Sequence, residues 1–232
     1  MSTLKENIEV VRAKISKASE KAGIKSDEIK IIAVSKTIPP EILNQTLELG
    51  ISEFGENKVQ EFLGKFEKVD SKAKFHMIGH LQTNKVKYIF DKVSSIQSID
   101  SIKLASEINK RAETKSIIVN GLIQIHTAKE ETKFGLDESE LEDFMNSISE
   151  FQNIKFSGLM TIGTFTEDEK EIRRCFTVLR ELKEKNSSFK TENCDLKELS
   201  MGMTSDYEIA IEEGATILRI GTAIFGSRRR VN

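Results

Sequence analysis

Along this chain, stretches rich in β-branched and other apolar residues alternate with charged segments in which apolar positions recur at helical spacing. That is the pattern of parallel strands buried on both faces and covered by helices. The apolar runs extend from Ile29 to Ser35, Ile51 to Gly55, Phe75 to Gly79, Ser95 to Ile99, Ile117 to Ile125, Ile154 to Ile162, Leu196 to Met201 and Thr216 to Ile220, which predicts eight strands. Ahead of the first, Leu4, Ile8, Val11 and Ile15 fall on one helical face, and Gly23 is placed to end that helix. The helices between strands carry their own punctuation. Pro39 and Pro40 stand in a first turn with Gly50 as the stop, Asp137 precedes ESELEDFMNSI, and Thr166 precedes EDEKEIRRCFTVLRELKEK. No Gly/Ser-rich or Pro-rich linker interrupts the alternation. The unbroken series predicts an α/β fold, a single (β/α)8 barrel of the TIM type with an extra N-terminal helix, forming one domain over residues 1–232.

Composition narrows the partners more than the fold. A length of 232 residues suits one such barrel. The 35 Lys and Arg against 37 Asp and Glu leave a net charge of −2, too weak a field to draw nucleic acid or an anionic membrane. The stretch MSTLKENIEVVRAKISKASEKAG is charged throughout, without the apolar run of a secretory leader or membrane span, so a soluble cytoplasmic protein is expected. Cys175 and Cys194 stand far apart without CxxC spacing, which predicts packing residues rather than a disulfide or structural zinc site. His76, His80 and His126 form no HExxH pattern, and no metal is expected. Arg228, Arg229 and Arg230 read as a solvated basic tail.

In a barrel of this kind, chemistry belongs at the C-terminal ends of the strands. Lys36 follows the apolar run IIAVS directly and precedes the turn at Thr37. Held there and partly desolvated, its amine would be more often neutral and able to attack a carbonyl; the plainer reading is a lysine that snorkels outward from a strand end. LSMGMTSDYEIAIEEG and ILRIGTAIFG supply the second element, at the ends of the last two strands. Gly202 and Gly221 let backbone N–H groups approach an anion, Ser200 and Thr222 can donate hydroxyls, and a helix opening after Met203 would add its dipole. The glycines could equally serve tight turns alone. GTAIFG is not a nucleotide-triphosphate loop, because Ser227 and Arg228 stand where that motif needs Lys and Ser or Thr. A reactive lysine facing a phosphate cradle describes a site for a phosphorylated aldehyde, and pyridoxal 5′-phosphate is the common cofactor of that kind.

The segments AVSKTIPPE, EFGENKVQE, FHMIGHLQTNK, FSGLMTIG and LSMGMTSDYEIAIEEGATILRIGTAIFG follow one another over nearly the whole chain. In that order they resemble the YggS/PROSC family of pyridoxal-phosphate homeostasis proteins. The resemblance implies a barrel like the N-terminal domain of alanine racemase, the type III fold of pyridoxal-phosphate proteins. It implies that Lys36 carries the cofactor as a Schiff base, that Ser200, Gly221 and Thr222 contact the phosphate, that Arg219 lies beside the pyridine nitrogen, and that Asn57 lines the site. One departure falls in QIHTAKEETKFGL, where many relatives have an asparagine near His126.

Guanidinium stays protonated, so Arg219 cannot lend a proton to the ring nitrogen, and the pyridine stays a poor electron sink. The function that the resemblance implies, and with which this is compatible, is a carrier of the cofactor in vitamin B6 homeostasis, without catalytic residues of its own; a monomer is expected, with apo-enzymes as recipients. The rival is an amino-acid racemase, which needs a second acid/base opposite the lysine. The two tyrosines, Tyr88 and Tyr207, both fall in predicted helices. A third reading is a barrel aldolase forming its Schiff base on a sugar phosphate, although in such enzymes the lysine usually comes from a later strand.

Overall fold

Residues 2–128 and 134–226 are described by the structure, a computed structural model. Eight strands form, each within a few residues of its predicted place: β1 (Lys30–Val34), β2 (Glu53–Glu56), β3 (Lys74–Met77), β4 (Ser95–Ile99), β5 (Val119–Gln124), β6 (Ile154–Met160), β7 (Cys194–Ser200) and β8 (Ile217–Ile220). All neighbours are parallel and the order β1 to β8 closes on itself. Closure pairs the first strand with the last, Ile32 opposite Arg219 and Ala33 opposite Ile220.

The period-2 alternation of strand side chains sorts them between two cores. Ala33, Phe54, Leu199, Leu218 and Ile220 join the large cluster under the helices, while Ile32, Leu122, Met160 and Ile217 form a small cluster of strand residues only. By this parity Arg219 shares the inner face with Ile217, and Ser200 alternates inward between Leu199 and Met201. Lys36 continues the inner row of Ile32 and Val34, whereas Ser35 belongs to the helix side.

Helix α1 (Leu4–Ala22) starts at a capping box between Thr3 and Glu6 and ends at Gly23 in the left-handed region, φ 70°. It packs on α7 (Tyr207–Glu212) and α8 (Thr222–Phe225), and Asn7 Nδ2 donates to the Ile224 carbonyl at 2.9 Å. The remaining helices are α2 (Pro40–Glu48), α3 (Val59–Phe66), α4 (Ile102–Glu113), α5 (Leu141–Ser147) and α6 (Glu169–Lys185). Two details differ from the sequence reading. The cap of α6 is Asp168, which accepts from Lys170 N–H; Thr166, two residues earlier, instead accepts from Asp168 N–H. Between β3 and β4 the chain makes only a 3-10 turn, Thr83–Tyr88, and Tyr88 ends it exposed. The basic run at 228–230, with Ser227, lies outside the described residues. Among the described residues no helix is long and apolar enough to cross a membrane.

The opposite end of the barrel is tied by charge. His76 Nε2 lies 2.6 Å from Glu53 Oε2, and Lys74 pairs with the same carboxylate at 3.2 Å. Burial pushes the Glu53 pKa up, but the hydrogen bonds and charges of His76 and Lys74 outweigh it, and the result lies below the ordinary 4.5. A carboxylate depressed in this way adds stability that is present above its unfolded pKa and lost as pH falls through the folded one. Urea titrations of wild type and Glu53→Gln should therefore show the wild-type advantage at neutral pH shrinking below about pH 4.5. A difference that stays constant with pH would remove Glu53 from the acid response.

Candidate functional site

Pairing of β1 with β8 decides where the site lies. Lys36, two residues past the end of β1, and Arg219, Gly221 and Thr222, at the end of β8 and just beyond, line one cavity of about 550 Å³. That volume is within the range of small-molecule sites. Val34, Phe165, Met203, Thr204 and Ser205 complete its wall. Gly221 lies beside β1, where a Cβ would meet Val34 Cβ at 3.4 Å, an ordinary van der Waals contact.

Arg219 is 3% exposed and its direction is set by two bonds, Nη1 to Ser200 Oγ at 2.7 Å and Nη2 to the Thr161 carbonyl at 2.6 Å. Burial pushes its guanidinium down to about 10, against the pull of Asp206, so it remains a cation and a pure donor at neutral pH. Asp206 is itself raised by burial, and it accepts from Met203 N–H at 2.5 Å, which shapes the turn after β7. Thr204 Oγ1 accepts from Ala223 N–H at 3.3 Å and knits that turn to the start of α8.

The predicted residues are not all in one place. Lys36, Arg219, Gly221 and Thr222 share the cavity. Ser200 is fully buried beneath it, donating to Gln97 Oε1 at 2.7 Å while accepting from Arg219, so its hydroxyl is engaged in holding the guanidinium. Thr204 and Ser205, four and five residues further on, line the cavity itself. Asn57 lines a different recess, with His80 and Gln82, and its Oδ1 is buried without a hydrogen-bond partner among the described residues. Gly202 has φ 89°, and a Cβ there would lie 2.6 Å from Ala210 Cβ, so the close seating of this turn on α7 requires a glycine. His80 lies 3.0 Å from Asp100 Oδ2 and stacks on Phe134 at 3.8 Å. The His126 ring nitrogen Nδ1 lies 3.7 Å from Asp137, and the segment 129–133 that follows lies outside the described residues.

A second group escaped the sequence reading. On the helix side of β1 and β2, Lys65 donates to the Ser35 carbonyl at 2.7 Å and to Glu56 Oε1 and Glu61 Oε1 at 2.8 Å each. The Ser35 hydroxyl donates to Glu56 Oε1 at 2.6 Å, and Glu61 accepts from the Thr37 backbone N–H. Burial raises the Glu56 carboxyl in spite of Lys65 and Ser35. For Glu61 burial also pushes up, but the bonds from Lys65 and Thr37 prevail and the carboxyl is lowered. Thr37, a β-branched residue, sits at φ 66°, a conformation that costs on the order of 1–3 kcal/mol and persists only where its surroundings enforce it.

Residues 1–229 match the family described as Alanine racemase, N-terminal domain, and the closed barrel with its cavity at the β1–β8 seam is of that class. The chain is 44% identical over 225 residues to the pyridoxal phosphate homeostasis protein of Aquifex aeolicus (strain VF5), with 97% of this chain and 98% of that one covered. It is 34% identical over 232 residues to the protein of the same name from Escherichia coli (strain K12), covering 98% of each. PipY of Synechococcus elongatus PCC7942, solved with PLP bound, superposes with a TM-score of 0.81 at 27% identity over 97% of this chain and 100% of that one. The chain belongs to the family of pyridoxal phosphate homeostasis proteins.

Proposed function

We propose that this chain holds pyridoxal 5′-phosphate covalently through Lys36 and serves vitamin B6 homeostasis as a carrier of the cofactor. The observation that carries the reading is the convergence on one cavity of Lys36 from the first strand with Arg219, Gly221 and Thr222 from the last. When bound, the cofactor supplies an aldehyde carbon that combines with an amine, and a phosphate that needs donors. The residues fit those demands. Lys36 offers the amine, and Thr222, Thr204 and Ser205 offer hydroxyls beside the bare backbone of Gly221. Asn57 keeps a buried amide oxygen ready for a donor brought by a ligand. Ser200 acts through Arg219, by fixing the guanidinium.

Arg219 also limits the chemistry. A protonated guanidinium can only donate, so a pyridine nitrogen facing it can only accept and stays without a proton. Racemisation would further require an acid/base group on the face opposite Lys36. Among the described residues of the cavity wall there is no His, Asp, Glu, Cys or Tyr. Tyr207 is 3% exposed and burial raises its hydroxyl pKa; neither it nor Tyr88 reaches the cavity. We accordingly read the chain as a monomeric one-domain carrier that passes the cofactor to apo-enzymes.

Incubating the purified protein with pyridoxal 5′-phosphate should produce visible absorbance that borohydride abolishes, with a mass increase on the peptide containing Lys36. A colourless product, or a label elsewhere, overturns the reading. In deuterated water, α-proton exchange on a panel of amino acids should not exceed that of free cofactor; substantial exchange that disappears in Lys36→Ala would establish the racemase instead.

A further inference from the structure

The peptide bonds on both sides of Lys36 are held by charged side chains from α3. Lys65, only 7% exposed, donates at 2.7 Å to the Ser35 carbonyl, which belongs to the bond entering Lys36. Glu61 accepts from the Thr37 N–H, which belongs to the bond leaving it. The two side chains lie one helical turn apart and are joined to each other at 2.8 Å, and Glu56 braces Lys65 at the same distance from behind. Stability alone does not call for this trio, since burying a lysine between two carboxylates costs solvation that a well-packed apolar group avoids. A charged pair can do what an apolar one cannot, which is to bind a carbonyl and an N–H at once and so hold Thr37 at φ 66°.

We propose that Glu61 and Lys65, braced by Glu56, clamp the backbone at Lys36 and fix where its amine stands in the cavity. They are positioning residues, and neither lines the cavity. The proposal rests on Lys36 being the attachment point, and its test separates the two ideas.

Full-length wild type, Lys65→Met, Glu61→Ala and Glu61→Gln are compared after removal of any cofactor. Three quantities are read: acetylation of Lys36 by acetic anhydride relative to the exposed Lys103 of the same molecules, affinity for pyridoxamine 5′-phosphate, which has ring and phosphate but no aldehyde, and the rate at which added pyridoxal 5′-phosphate becomes borohydride-trappable on Lys36. In Lys65→Met and Glu61→Ala, trapping should slow at least about tenfold while pyridoxamine 5′-phosphate affinity stays within about threefold, because displacement of a reacting group by an ångström is enough to produce such losses. The acetylation ratio should change at least about threefold. Glu61→Gln retains an acceptor for Thr37 N–H and should recover most of the trapping rate. If the variants melt at lower temperature yet trap and acetylate like wild type, the trio is only structural and the clamp is wrong. If Lys65→Met does not fold, the Glu61 pair decides, since it leaves the Lys65–Glu56 contact in place. If wild type traps no cofactor, the carrier reading fails; the acetylation ratio then upholds the clamp if it changes and overturns it if it does not.

Discussion

Lys36→Ala is expected to reduce borohydride-trappable cofactor at least about 100-fold, to background, because Lys36 is the only lysine in the described cavity wall and a reducible imine needs a primary amine. The rest of that wall is left standing. Arg219 keeps its bonds to Ser200 and the Thr161 carbonyl, and Thr222 and Gly221 keep their places after β8. Pyridoxamine 5′-phosphate should therefore still bind to Lys36→Ala, which separates loss of attachment from loss of the site. Lys103→Ala, on the exposed face of α4, serves as the control for the general effect of removing a lysine. A label of wild-type amount appearing on another lysine of Lys36→Ala would place the attachment elsewhere.

The largest stability effect is expected at Gly158. This residue pairs with Glu198 across β6 and β7, and a Cβ on it would lie 2.0 Å from the Glu198 carbonyl oxygen and 2.6 Å from its carbon. Both atoms are backbone, so no rotamer change relieves the overlap. The strands must part where the ladder is already irregular, between Phe156 and Gly158. Gly158→Ala should cost about 3–5 kcal/mol in urea unfolding, beyond ordinary overpacking, because a closed barrel offers no free edge to move. The same strands carry Ser200 and lead to Thr161, the two partners that aim Arg219, so the folded remainder should also bind the cofactor more weakly. A loss below about 1 kcal/mol would show that the β6–β7 spacing relaxes freely.

The strands were legible because a parallel strand covered on both faces is written as a continuous apolar run, and β1 with its IIAV core is the plainest case. Lys36 was legible for a related reason, as a charge set directly against such a run. Ser200 was harder. Its place between Leu199 and Met201 announces that it faces inward, but not how deep in the barrel it stands, which depends on strand tilt and on the turn at Asp206 carrying Thr204 and Ser205 up to the cavity. The cap of α6 slipped from Thr166 to Asp168 because both are good caps and local sequence does not rank them. Glu61 and Lys65 show the limit most clearly. Four apart on a helix, they read as an ordinary surface pair, and only the packing of α3 on the ends of β1 and β2 reveals what they hold.

Closure of the barrel through β1 and β8 has a consequence in time as well as in space. The lysine is made near the start of synthesis and its partners in the cavity near the end, so a nascent or truncated chain can display Lys36 without having anything to surround it. On the proposed function, capture of an aldehyde by Lys36 waits for the last strand to dock, and a chain clipped before β8 would have the amine but no site.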